Sequence, residues 1–181
     1  MTKNKKAVLG ILATAIILYM LRKQIATALN KTPFGSVSDR LFNVISSFEG
    51  FDQIAKWDVN GYSVGYGSHY NWDAKRNVQK GDIVDKATAK QWLLNDAQQD
   101  YSFVQSIVKV PITDNQLLAL SSLSYNIGGN ALKNSSLLKY LNTGYNIPVV
   151  ASEFDKWVFV AGQKSEGLKK RRQAEKQLFL S

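Results

Sequence analysis

Phe48-Glu49-Gly50-Phe51-Asp52-Gln53-Ile54-Ala55-Lys56-Trp57-Asp58-Val59-Asn60-Gly61-Tyr62-Ser63-Val64-Gly65-Tyr66-Gly67-Ser68 contains the end of one element and the turn of another. Upstream of it, Leu41, Val44, Ile45 and Phe48 fall at i, i+3, i+4 and i+7, the stripe of a buried helix face. Ser38 is the expected N-cap, with Ser36 also available, and Gly50 the expected stop. This puts Glu49 in the last turn, beside an apolar stripe and at the negative end of the helix dipole. Both features disfavour an ionised carboxylate, as a general acid requires. Downstream, Asn60-Gly61 is a hairpin turn signal, and Tyr62, Val64 and Tyr66 alternate with Ser63 and Gly65 as in a half-exposed strand. The hairpin brings Asp58, before the turn, near Ser63, after it. Gly65 and Gly67 leave room for a close approach to the backbone.

Beyond the hairpin the chain reads as mostly helical. Val78–Val84 suggests one more short strand and loop. Asp85 caps a helix expected from Lys86 to about Val108, with Ala89, Trp92, Leu93, Ala97, Tyr101, Val104 and Val108 inward. Thr113 or Asp114 opens a helix through Gln116–Tyr125 that stops near Gly128-Gly129. Further helices are expected at Asn134–Asn142, Val149–Val160 and Lys169–Leu180. The fold class is therefore α+β: a small β-hairpin lobe and a larger helical lobe with a cleft between them.

Composition narrows the chemistry. The 181 residues have a formal charge of +9. Residues 1–34 hold six of the 23 basic residues and none of the 14 acidic ones, so the rest of the chain has an excess of only three positive charges. That argues against nucleic acid as a partner. With no cysteine there are no disulfides, no thiolate nucleophile and no cysteine-held zinc. The single histidine, His69, argues against a multi-histidine metal site or a histidine relay. No metal or cofactor is implied, and the carboxylates remain as the candidates for chemistry.

The uncharged run Ala7–Leu21 lies between Lys3, Lys5 and Lys6 on one side and Arg22 and Lys23 on the other. As a helix it would reach roughly 22 Å, short of a hydrocarbon core of about 30 Å. Snorkelling of the flanking cations and local thinning can close that gap. Residues 1–29 are expected to be a membrane anchor, residues 30–37 a linker and residues 38–181 the folded domain, with the N-terminus inside and the domain outside. The alternatives are a cleaved signal peptide with its site at Ala26-Thr27-Ala28, later release of the anchor, and a buried helix of a soluble domain.

Six blocks in order carry a resemblance: Phe48-Glu49-Gly50 with Ala55–Asp58; Gly61–Ser68; Val110–Gln116; Leu123–Gly128; Asn134–Leu138; and Gly167–Glu175. Residues 38–181 resemble the phage-type lysozymes, the family 24 glycoside hydrolases that include many endolysins. The resemblance implies a monomeric muramidase acting on bacterial peptidoglycan with inversion, its catalytic domain (residues 38–181) on the wall side of a host inner membrane or, alternatively, in a virion-associated membrane. Glu49 would be the acid, Asp58 nine residues later the group that orients or deprotonates water, and Ser63 the hydroxyl that holds that water. It also implies Tyr125, Asn126 and Ser136 as sugar contacts. The chain departs from the family pattern with Ser for Thr at 63, a segment after Gly61 one residue shorter, and Lys56 where a Tyr is usual. The basic run Lys169–Arg172 reads either as an attractor for the anionic wall or as a solvated helix face. A lytic transglycosylase, which needs Glu49 alone, and a membrane-bound virion or wall-binding structural protein are the competing functions.

Overall fold

The computed structural model describes residues 36–58 and 61–181. The apolar run 7–21, with the anchor reading built on it, lies outside the described residues, as do Val59 and Asn60 of the turn. Among the described residues no helix is long and apolar enough to cross a membrane. Contacts divide the chain into residues 1–40 and 41–181, and the core and cleft belong to the second unit.

Helix α1 spans Val37–Ser46. Its cap is Ser36, not Ser38: the Asp39 N–H donates to Ser36 Oγ at 3.1 Å, and the hydroxyl donates to the Asp39 carboxylate. Leu41 and Ile45 are buried, as the stripe predicts. The helix ends earlier than Gly50 implies. The Phe48 N–H bonds the Ile45 carbonyl, three residues back, and the Ser47 hydroxyl takes the Val44 carbonyl, so the last turn tightens and opens. Glu49 therefore sits just past the helix, not in its last turn.

Strands β1 (Asp52–Asp58) and β2 (Gly61–Gly65) form the expected antiparallel hairpin. Asp58 pairs with Gly61, Trp57 with Tyr62 and Lys56 with Ser63; the register then slips before Asp52 reaches Gly65. In that bulge β1 turns to residues 82–84. The Ala55 N–H bonds the Asp82 carbonyl at 2.8 Å, and the Val84 N–H bonds the Gln53 carbonyl at 2.9 Å. The strand expected at 78–84 is thus reduced to a single bridge, Ile54 to Ile83. A second small hairpin, β3 (Tyr70–Asn71) with β4 (Arg76–Asn77), has no counterpart in the sequence reading. Gly65 presses this lobe onto the helical one. Its φ is +68°, and a Cβ there would lie 2.8 Å from that of Ala89.

Helix α2 (Lys86–Ile107) starts where Asp85 accepts from the N–H groups of Ala87 and Thr88. Helix α3 (Asp114–Ile127) opens with a full capping box between Thr113 and Gln116. Gln116 to Ser124 are all buried, so α3 is the central helix, apolar on most sides. Helices α4 (Gly129–Lys133), α5 (Ser136–Asn142), α6 (Ile147–Ser152) and α7 (Glu166–Leu180) pack around it. The single helix expected over Val149–Val160 is instead the end of α6, a 3-10 turn (Glu153–Lys156) and one strand of the hairpin β5 (Phe159–Val160) and β6 (Gln163–Lys164). The turn of that hairpin places Ala161 and Gly162 at positive φ, which a helix cannot absorb.

Two apolar clusters result. One joins Val64, Val78 and Val84 of the β lobe to Ala89 and Trp92 at the start of α2. The other joins Val104, at the far end of α2, to α3–α7. One helix of about 33 Å, from its 22 residues at about 1.5 Å each, therefore ties the lobes together.

Candidate active site

The middle of α2, between its two apolar ends, faces an open cleft. Glu49, Asp58, Gly67, His69, Tyr70, Asp96, Asp100, Tyr125 and Asn126 line about 370 Å³ of it. Four of the six residues singled out from the sequence, Glu49, Asp58, Tyr125 and Asn126, are thus brought to one place. Ser63 and Ser136 are not among the lining residues.

Glu49 is held from behind. Arg171 on α7 donates from Nη1 to Glu49 Oε1 at 2.7 Å. The same guanidinium bonds Glu175 Oε1 at 3.1 Å and the Ser122 carbonyl at 3.3 Å, and lies 5.2 Å from the Phe48 ring. The sequence suggested an apolar setting at a helix end; the structure instead sets a buried cation against the carboxylate. Oε2 remains on the side of Gly67, where a Cβ would stand 3.9 Å from it. Gly67, at φ +90°, keeps that oxygen open to a ligand.

This network also corrects both readings for half of the run Lys169–Arg172, since Lys169 and Lys170 stay exposed. Arg171 and Arg172 are buried, neither presented to the wall nor solvated. Arg172 lies 3.0 Å from Glu175 Oε2 and donates to Asn126 Oδ1 at 2.7 Å. Burial pulls its pKa down to about 10, and burial pushes the Glu175 carboxyl up. The Ser122 hydroxyl donates to Glu175 Oε1 at 2.7 Å, so polar groups of α3 and α7 meet Glu49 under the cleft.

On the hairpin side, Asp58 and Ser63 share a face. The pairs Asp58–Gly61 and Lys56–Ser63 alternate with Trp57–Tyr62, and side chains reverse face at each step. Ser63 lies two pairs back from the strand end, which is why it shares the face of Asp58 without lining the cleft. Asp58 instead has His69 beside it, Nε2 to Oδ2 at 3.7 Å. The sequence reading set His69 aside as a lone histidine. It reaches the cleft because Val64 and Ser68 exchange both backbone hydrogen bonds and fold the chain back at Gly65–Gly67.

The Tyr125 phenol donates to the Tyr66 carbonyl at 3.4 Å. Burial, then the nearby Glu49 charge, raises its pKa, so the phenol stays neutral as a donor. Asn126 faces the cleft with its carbonyl oxygen engaged by Arg172, which orients the amide nitrogen away from that contact. Ser136 is the first residue of α5, and its hydroxyl is taken by Glu153, itself paired with Lys156 at 2.7 Å. Ser136 therefore secures α5 to the 3-10 turn and is not among the residues that line the cleft.

Asp96 and Asp100 were missed. They lie one turn apart on α2, at the i, i+4 spacing that puts both on one face. Asp96 accepts from Ser68 Oγ at 2.7 Å and from Trp72 Nε1 at 2.9 Å, pinning the β lobe to the helix. Asp100 accepts from Ser124 Oγ. Burial raises both pKa values. A raised carboxyl pKa means that the folded state binds the proton more tightly than the unfolded one. Stability is then lost as pH climbs from the unfolded value, about 3.9, through the raised folded one. Asp96→Asn keeps both hydrogen-bond partners and removes the buried charge. Thermal melts should show the variant gaining on wild type by a few degrees at neutral pH, with the gain vanishing in acid. An equal loss at both pH values would contradict this. Among the described residues no group of three or more His, Cys, Asp or Glu side chains is placed to hold a metal ion.

The phage lysozyme family profile matches residues 46–175. The endolysin of Bacillus phage B103 is 39% identical over 149 residues, which are 81% of this chain and 54% of that protein. The chain spans about half the length of the curated Bacillus phage relatives it matches. The SAR-endolysin of Escherichia phage Mu is 37% identical over 81 residues, 45% of this chain and 47% of that one. Among solved structures, the muramidase domain of SpmX from Asticaccaulis excentricus superposes with a TM-score of 0.71 at 31% identity, covering 81% of this chain and 98% of that one.

Proposed function

The chain belongs to the phage lysozyme family, and on that premise we propose that it is a muramidase. It would hydrolyse the β-1,4 bond between N-acetylmuramic acid and N-acetylglucosamine in peptidoglycan and lyse the bacterial wall, on leaving a host or on entering one. The observation that carries this is the joint presence of Glu49 and Asp58 in one open cleft. Glycoside hydrolysis needs one carboxyl to protonate the leaving oxygen and a second carboxylate to serve the incoming water. Glu49 is the donor, through Oε2, the oxygen that Arg171 leaves open. Asp58 takes the proton of the attacking water and supports the oxocarbenium-like centre, with inversion at the anomeric carbon. Tyr125 and Asn126 contact the sugar. The cleft's acidic lining disfavours nucleic acid, whose phosphates it would repel. The domain acts as a monomer. Purified peptidoglycan sacculi incubated with the protein should lose turbidity and gain reducing ends; turbidity lost without new reducing ends would overturn the reading.

Ser63 takes a lesser part in this scheme, since it shares a face with Asp58 but stands back from the cleft. Removing a positioned base typically costs about 10²–10⁴-fold. Asp58→Asn is expected to lose at least about 100-fold by that measure, and Ser63→Ala less than about tenfold. Initial rates on sacculi check the order; a Ser63→Ala loss as large as that of Asp58→Asn would make the hydroxyl an equal partner.

We further propose that residues 1–29 anchor the protein in the host inner membrane with the catalytic domain on the wall side. The support is the uncharged Ala7–Leu21 run with cations at both ends and the likeness to a SAR-endolysin. Fractionating the full-length chain in cells should recover it with membranes. Recovery of the intact chain only in the soluble fraction would reject the anchor.

A further inference from the structure

Asp58 ends β1 with about half of its side chain exposed, at the rim of the cleft. The position of His69, in contrast, is fixed. The two backbone hydrogen bonds between Val64 and Ser68 precede it, and its own carbonyl accepts from the Val78 N–H at 2.8 Å. The His69 Nδ1 stands 3.1 Å from the Tyr62 carbonyl. A carbonyl only accepts, so the hydrogen belongs on Nδ1. That arrangement turns Nε2 toward Asp58 Oδ2, 3.7 Å away, inside the same cleft. A neutral ring would point a lone pair at a carboxylate. A ring protonated at both nitrogens would point a donor at it.

We propose that His69 is a positioning residue for the hydrolysis: its doubly protonated imidazole, braced on the Tyr62 carbonyl, holds the Asp58 carboxylate toward the sugar, and loss of the Nε2 proton releases it. The proposal rests on the hydrolase reading of the cleft. The ionisable groups that share the cleft with the ring are Asp58 from β1, Asp96 and Asp100 from α2, Glu49 beyond α1, Tyr70 from β3 and Tyr125 from α3. Arg171 stands behind Glu49. So the ring is the one group able to take a positive charge among the residues that line this cleft, and it is set beside the carboxylate that must meet water. The pair is exposed and adds little to stability. Its effect belongs in the rate, where a small misplacement of a reacting group is costly.

The test is the initial rate on purified sacculi across about pH 5–9, the span in which an imidazole changes charge, for wild type, His69→Gln and His69→Lys. Melting temperatures are read alongside, with Asp58→Asn and Glu49→Gln as references. His69→Gln should lose about tenfold at acidic pH by the cost of misplacement, with its melting temperature unchanged. Wild type should decline toward alkaline pH, and His69→Lys, a fixed cation, should decline less. Every other ionisable group of the cleft is common to both proteins, so the difference between them isolates the ring. A His69→Gln rate and profile matching wild type, with Asp58→Asn inactive, would overturn the proposal and leave the hydrolase reading intact. Full activity in Asp58→Asn and Glu49→Gln would sink that reading itself. Should His69→Gln fail to fold, identical pH profiles for wild type and His69→Lys would still reject the positioning role.

Discussion

Glu49→Gln should be almost inert on purified sacculi, at least about 10³-fold slower than wild type, within the range seen when a positioned acid is removed. The substitution preserves what surrounds the residue. A glutamine carbonyl can still accept from Arg171 Nη1 in place of Oε1, and the amide nitrogen occupies the side of Oε2 with no transferable proton. The melting temperature should therefore change little, and the loss is assigned to chemistry. Glu49→Asp withdraws the carboxyl by one methylene from both Arg171 and the cleft, and should also be slow. Turbidity loss and thermal melts on the same samples provide the check. A Glu49→Gln rate within about tenfold of wild type would remove Glu49 from the mechanism, because that is less than a general acid contributes.

Arg171→Met should be the most destabilising single change in the domain. The side chain is 4% exposed and bonds two carboxylates and a carbonyl at once. Without it, Glu175, with no exposed side-chain surface, keeps only Arg172 and Ser122 as partners. Breaking a buried ion network by removing one partner typically costs about 3–5 kcal/mol, against a total stability of about 5–15 kcal/mol. For a domain of this size that corresponds to a fall in melting temperature of roughly 10 °C or more. Arg171→Lys should not restore it, since a single ammonium cannot span Glu49, Glu175 and the Ser122 carbonyl as the planar guanidinium does. Calorimetry of the two variants checks this; a melting point within a few degrees of wild type for Arg171→Met would show that the network contributes little. Activity should fall too, because Glu49 loses the contact that fixes Oε1.

The same network shows where the sequence could be read and where it could not. Helices α1, α2 and α3 and the first hairpin follow from periodicity, caps and an Asn-Gly turn, all local signals. Glu49 and Asp58 were legible because a helix end and a hairpin end fall at fixed spacing. Arg171 and Arg172 were not, since four consecutive cations on a helix ordinarily face water. Their burial depends on Glu49, 122 positions away, and on Ser122 and Asn126. The Ser136–Glu153 contact was hidden for a similar reason, as Glu153 lies in a 3-10 turn that reads as a continuous helix from composition. Asp96 and Asp100 left a trace, two acids one turn apart on a helix whose neighbours are buried, but polar residues there are usually solvated. His69 left only its uniqueness, and the two-residue strands β3–β6 are too short to show a period.

The proposed hydrolysis requires that water attack the muramic acid carbon in this cleft. Mass spectrometry of sacculi digested to completion tests that most directly. Hydrolysis predicts muropeptides ending in reducing N-acetylmuramic acid, heavier by one water than their anhydro counterparts and convertible to the alditol by borohydride. Muropeptides ending mainly in 1,6-anhydro-N-acetylmuramic acid would contradict the account, because that product forms without the water that Asp58 is assigned to activate.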